Sequence, residues 1–361
     1  MTVHPRSLLL AACLTLAACS PIYVAQAAIE EARILSRRRP IVDVIADAGT
    51  ASETRRKLEL VLQARDFAEH MLDLDAGDSY TTYSWVDSDT LLLVVSGSRK
   101  DRFQARTWWF PIVGRVPYKG FFDFAAAHAE ADRLERDGYD AHVRPSAAFS
   151  TLGWFNDPLL NTVLRYGDVS LVNTIIHELL HNTQYLAGQA AFNESFANFV
   201  GERGAIEFFC QREGDDSDRC RLARDGWADN LAYAAFLTDL VTTLEALYDR
   251  ADIDTAEKIR LRERVFADAR ASFTAELQPQ LRTNAFRGFA ARPLNNATLI
   301  GTRLYYDRLH LFEEVYQHFG QDYHRTVHAV LDAAGRNHDS PFDATAALLQ
   351  GSGARRLPDV E

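Results

Sequence analysis

Residues 168–186 constrain the fold more than any other stretch. Val172, Ile175, Ile176, Leu179, Leu180 and Leu186 cover most of a helical circumference, leaving one polar face with Asn173, His177, His181 and Gln184. A helix that is apolar nearly all round must be buried, so that face opens on a walled cleft rather than on bulk water. Asp168 is the expected N-cap and Gly188 the expected stop.

The polar face carries His177-Glu178-Leu179-Leu180-His181, an H-E-x-x-H motif. A helix places residues i and i+4 on one side, so both imidazoles can converge on a metal. Glu178 sits about 100° around the helix from His177, beside the metal's open position, where it can move protons as general base. Two core histidines satisfied by hydrogen bonds are the structural alternative. A catalytic zinc takes three protein ligands and one water, and the expectation is one zinc per chain. Gln184 and Ala187 exclude a third histidine at the next helical repeats. Glu194 is the candidate third ligand, in a helix that Asn193 is expected to cap. A carboxylate complementing the helix dipole is its alternative role, and Glu202 is the alternative ligand. Tyr305 and Tyr306 are candidate donors to a developing oxyanion. Residues 147–155 are read as an edge strand able to pair with an extended peptide or as a plain connection.

The remaining pattern is α+β and predominantly helical. Residues 22–38 and 52–74 read as helices, 80–150 as a small antiparallel sheet interrupted by a helix at 122–137, and most of the chain beyond 168 as helix. The helices are expected at 168–186, 194–212, 224–250, 255–281, 296–319 and 321–334. This divides the chain into an N-terminal helical and sheet region (19–150), a mainly helical region (151–350) and a tail (351–361). With 361 residues and net charge −11, an acidic surface repels phosphate backbones and speaks against nucleic acid. Oligomeric state is not legible.

Arg6 precedes an apolar run at residues 8–18, too short to span a membrane and suited to a signal peptide. Leu16-Ala17-Ala18-Cys19 resembles the bacterial lipoprotein box, which implies removal of residues 1–18, acylation of Cys19 and a lipid anchor in the cell envelope. With two membranes, Ser20 points to the outer one, facing the periplasm. Ordinary cleavage near Ala18 is the alternative. Cys210 and Cys220 flank a polar stretch and are expected to form a disulfide in an oxidising compartment; two buried thiols are the alternative.

HELLH (177–181) followed by NESFA (193–197) resembles the thermolysin- and aminopeptidase N-like zinc peptidases, whose ligands are two His and one Glu. Across 22–41, 106–123, 149–160, 175–184, 192–201 and 294–308 the chain is similar to a bacterial family of exported zinc peptidases classed as aminopeptidases. The resemblance implies a zincin-like fold, a peptide substrate and the ligand set His177, His181 and Glu194. Asn198 stands where thermolysin-like enzymes carry an Asp that orients a histidine. The expected activity is removal of N-terminal residues from exported or periplasmic peptides. An endopeptidase with the same chemistry and a non-catalytic zinc-binding lipoprotein are the alternatives. An aminopeptidase must also hold a free α-ammonium, for which Glu202 is a candidate.

Overall fold

The computed structural model describes Ile29 and residues 32–87, 90–110, 114–146 and 158–350. The leader with Cys19, the stretch 147–155 and the tail from 351 lie outside the described residues. Strand β1 (Arg39–Pro40) runs into helix α1 (Ile41–Ala46), and α2 (Ser52–Leu72) follows. The spacing in α2 does what it predicts: Leu58, Val61, Ala64, Ala68 and Leu72 recur every three or four residues and are buried.

Next come β2 (Thr82–Ser84), β3 (Leu92–Arg99), β4 (Trp108–Phe110), β5 (Gly114–Val116), β6 (Tyr118–Phe121), α3 (Phe124–Arg136), β7 (Tyr139–Ser146) and β8 (Leu159–Leu160). The single antiparallel sheet expected from sequence is instead three small ones. β3 lies between β6 and β7, antiparallel to both; β4 and β5 form a hairpin; β2 pairs antiparallel with β1 and parallel with β8. The parallel pair has a local cause. The Asn161 amide accepts from the Val86 N–H at 2.8 Å and donates to the Val86 carbonyl at 3.0 Å, so a side chain extends the ladder.

β3 is apolar and buried over residues 92–95 because both faces are covered. Leu93 and Val95 pack with Ala127, Ala131 and Leu134 of α3, while Leu92 and Val94 join the main core. That division follows from the two-residue period of a strand.

The helical body comprises α4 (Asp168–Thr183), α5 (Ala190–Glu213), α6 (Asp218–Tyr248), α7 (Thr255–Ser272), α8 (Asn296–Tyr306), α9 (Leu309–His318), α10 (Tyr323–Arg336) and α11 (Pro341–Ala347). It is buried around α5, whose Phe192, Phe196 and Phe199 pack with Phe312 of α9. Burying such a side chain contributes about 1.5–3 kcal/mol, and Phe199→Ala would cost about 3–5 kcal/mol. A disulfide between Cys210 and Cys220 joins the end of α5 to the start of α6.

Several expected helix boundaries move. Gly167, not Asp168, is the N-cap of α4, and Asp168 instead binds Arg56 and Arg219. α4 stops at Thr183, before Gly188, and α5 starts at Ala190, so Asn193 lies inside it rather than capping it. The Asn193 amide holds the connection by bonding both backbone groups of Leu186. The helix expected over 255–281 loses its regular form after Ser272, passing through a π turn into a 3-10 turn that contains Pro279. The helix expected over 296–319 is broken at Asp307 and Arg308, the latter at φ 48°.

Candidate metal centre

The centre lies where α4 and α5 cross, and two glycines set how closely they approach. A Cβ on Gly201 would stand 2.8 Å from the Asn173 carbonyl oxygen and 3.1 Å from the His177 Cβ. One on Gly204 would stand 2.8 Å from Ile176 Cδ1. Neither position has room for a side chain.

This approach brings Glu194 to the two motif histidines. Its Oε2 lies 3.5 Å from His177 Nε2 and 3.7 Å from His181 Nε2, and all three ligand atoms fall within 4.8 Å of one another. Those separations are too long for good hydrogen bonds. They match the edges of a metal tetrahedron, about 3.3–3.5 Å for ligands at zinc distances. Burial pushes the Glu194 carboxyl up, but the adjacent imidazoles of His177 and His181 outweigh it and hold it well below the usual range. The carboxylate is therefore ionised, as a ligand must be. His181 is 4% exposed, and its Nδ1 has no hydrogen-bond partner among the described residues. The two imidazoles and one carboxylate thus fit a divalent transition metal by spacing, charge and burial.

Two other groups could hold a metal on distance alone. The sulfurs of Cys210 and Cys220 are bonded to each other. On the surface, His324 Nε2 is 3.0 Å from Asp73 Oδ2, and His328 Nε2 is 3.0 Å from the Leu72 carbonyl. Both imidazoles there are already engaged.

Glu178 is half-buried next to His177, and its charge helps raise the Tyr166 and Tyr305 hydroxyls. Tyr305 enters the site: its ring stacks on His177 with centroids 6.2 Å apart and planes 28° apart. Tyr306 does not. Its ring packs on Tyr233, and its hydroxyl donates to Asn230 Oδ1 at 3.2 Å. The structure therefore brings together His177, Glu178, His181, Glu194 and Tyr305 and leaves Tyr306 in the packing behind them.

Tyr305 is presented by the helix that carries Glu194. The Ser195 hydroxyl donates to the Leu304 carbonyl at 2.9 Å, and the Asn198 amide to the Tyr305 carbonyl at 2.8 Å. These carbonyls would otherwise be orphans of the α8 terminus. Taking them explains why the chain turns at Asp307 instead of continuing as helix. Asn198 thus fixes Tyr305 and does not orient a histidine.

Glu202 is not part of the group that Glu194 forms with the two histidines. Its Oε1 accepts from Asn173 Nδ2 at 2.8 Å and Asn230 Nδ2 at 2.9 Å. Burial pushes its carboxyl up to about 7, against the opposing effect of the two asparagines.

Sequence reasoning missed four neighbours. Tyr185, two residues beyond the end of α4, has its ring centroid 5.9 Å from the His181 imidazole; burial and then Glu194 push its hydroxyl up to about 12. Tyr118, Tyr166 and Arg144 come from β6, the segment before α4, and β7, and no local pattern marks them. Burial holds the Tyr118 and Tyr305 hydroxyls well above their usual range, with Glu194 adding to both. These tyrosines stay protonated at neutral pH and can serve as donors.

The structure is a mainly helical body with small sheets, built around two imidazoles and a carboxylate at spacings that could hold a metal ion. The family model described as "Putative aminopeptidase" matches residues 22–340, and the chain belongs to that family. No curated protein and no solved structure matches it.

Proposed function

We propose that the protein is a zinc-dependent peptidase that removes N-terminal residues from peptides in the cell envelope. The main support is the convergence of His177, His181 and Glu194 at ligand spacing, with Glu178 beside them. The family's description adds the peptidase class. His177, His181 and Glu194 would hold one zinc ion, which would supply Lewis acidity to the scissile carbonyl and to the attacking water. Glu178 takes the proton from that water and delivers it to the departing amine. The protonated Tyr305 hydroxyl donates to the oxygen on which charge develops.

Export and acylation at Cys19 belong to this reading. The Cys210–Cys220 disulfide supports it, since such bonds persist in oxidising compartments. Cys19→Ser should release the protein from membranes on fractionation, and unchanged retention would remove the lipid anchor from the proposal.

The deciding experiment measures bound zinc and peptide turnover together. Glu178→Gln should keep one zinc and lose roughly 100- to 10,000-fold in kcat, while His177→Ala, His181→Ala and Glu194→Ala should each lower zinc content. Acetylating the substrate N-terminus should abolish cleavage; equal rates would make this an endopeptidase. Zinc bound without turnover in the wild type would leave a non-catalytic metal-binding protein.

A further inference from the structure

Arg262, Arg203 and Arg65, whose side chains are mostly buried, end on Asp140, Glu313 and Glu69. Arg144 is half-buried, yet no ion pair among the described residues includes it. Its Nη2 donates to the Tyr305 hydroxyl oxygen at 3.4 Å, and its guanidinium carbon lies 5.9 Å from that ring's centroid. The same ring stacks on His177. The charge of Arg144 also favours ionisation of the Tyr118 and Tyr166 hydroxyls, against burial and against Glu194 and Glu178 respectively. Through Tyr305 it therefore lies one ring away from His177.

Its position is held firmly. On the same strand, four residues earlier, Asp140 takes a two-pronged contact from Arg262 at 2.6 and 3.0 Å and accepts the Asn296 N–H at 3.0 Å. This bolts β7 to the start of α8, the helix that carries Tyr305 in its last turn. A guanidinium removed from water without a counter-charge is costly, and it is suited to gripping a carboxylate with paired N–H groups. The nearby acid that could have received an α-ammonium, Glu202, is instead bound by two asparagines.

We propose that Arg144 binds a carboxylate of the substrate, so that the site selects peptides presenting a free C-terminus or an acidic side chain close to the scissile bond. This rests on the peptidase reading and adds the substrate class to it.

The test uses calorimetry on the zinc-loaded full chain carrying Glu178→Gln, with three probes: Ala-Ala-Ala, its C-terminal amide, and the amide of Ala-Asp-Ala. One or both carboxylate peptides should bind about 10- to 100-fold more tightly than Ala-Ala-Ala amide, the span of a charge-assisted pair. A gain for the free acid assigns the C-terminus, and a gain for the Asp peptide assigns the side chain. Adding Arg144→Gln should erase the preference, and Arg144→Lys should keep part of it. Equal affinities, no binding, or a preference that survives Arg144→Gln would overturn the proposal. So would a kcat loss in the Arg144→Gln single variant that is uniform across all three peptides with the acid-to-amide KM ratio intact, since that would make Arg144 only a positioning residue for Tyr305. Selective binding without any turnover by the wild type would keep the Arg144 subsite and sink the peptidase reading.

Discussion

Gly201 of α5 stands against Asn173 of α4 so closely that a Cβ there would lie 2.8 Å from the Asn173 carbonyl oxygen. Because that oxygen is helix backbone, it cannot yield without moving α4. Gly201→Ala should therefore push apart the helices that carry Glu194 and His177, costing about 1–3 kcal/mol and weakening zinc affinity. Thermal unfolding and metal competition measure the two effects. A variant as stable and as zinc-avid as the wild type would show that the crossing is not needed to assemble the site.

The two adjacent tyrosines should separate in kinetics. Tyr305→Phe removes a hydroxyl beside His177 and should lower kcat by roughly 100- to 1,000-fold, as for loss of one oxyanion donor. Tyr306→Phe removes a bond to Asn230 and should cost about 0.5–1.5 kcal/mol of stability with kcat close to wild type. The reverse ranking would move the donor role to Tyr306.

Glu202 gives the fold a pH dependence of known sign. Its carboxyl is pushed up to about 7 from an ordinary value of 4.5, so folding favours the protonated form. That contribution is complete below about pH 4.5 and is lost as pH rises through 7. Glu202→Gln should flatten the decline in Tm between pH 5 and 8 relative to wild type. Parallel Tm curves for the two proteins would show that Glu202 ionises normally.

Metal stoichiometry should be one per chain. His324→Gln and His328→Gln should leave it unchanged, because those imidazoles already bond to Asp73 and the Leu72 carbonyl. Elemental analysis after dialysis checks this, and a count of two that falls to one in these variants would establish a surface site.

The buried pair Arg262–Asp140 should behave as a structural bolt. Asp140→Asn leaves the guanidinium, 5% exposed as a residue, with only the exposed Glu263 carboxylate at 3.1 Å as counter-charge and should cost about 3–5 kcal/mol, read in denaturant unfolding. A loss under 1 kcal/mol would mean that water reaches Arg262.

The local sequence determined what depends on short-range spacing. The all-round apolar helix, the convergence of His177 and His181, the place of Glu178 and the helical body follow from 3.6 residues per turn and from burial. Twelve residues after His181 suffice for a connection and a return, which put Glu194 within reach. Tertiary structure decided which of two candidates faces the metal group. Glu194 and Glu202 are both acids on one helix, but Asn173 and Asn230 claim the second. It also decided that α8 ends at Tyr306, because Ser195 and Asn198 take its last carbonyls, and this turns Tyr305 toward His177 and Tyr306 away. Arg144 had no signature in the sequence. A strand residue is aimed by pairing and by distant bonds such as Asp140 to Arg262, and those partners lie more than a hundred residues apart along the chain.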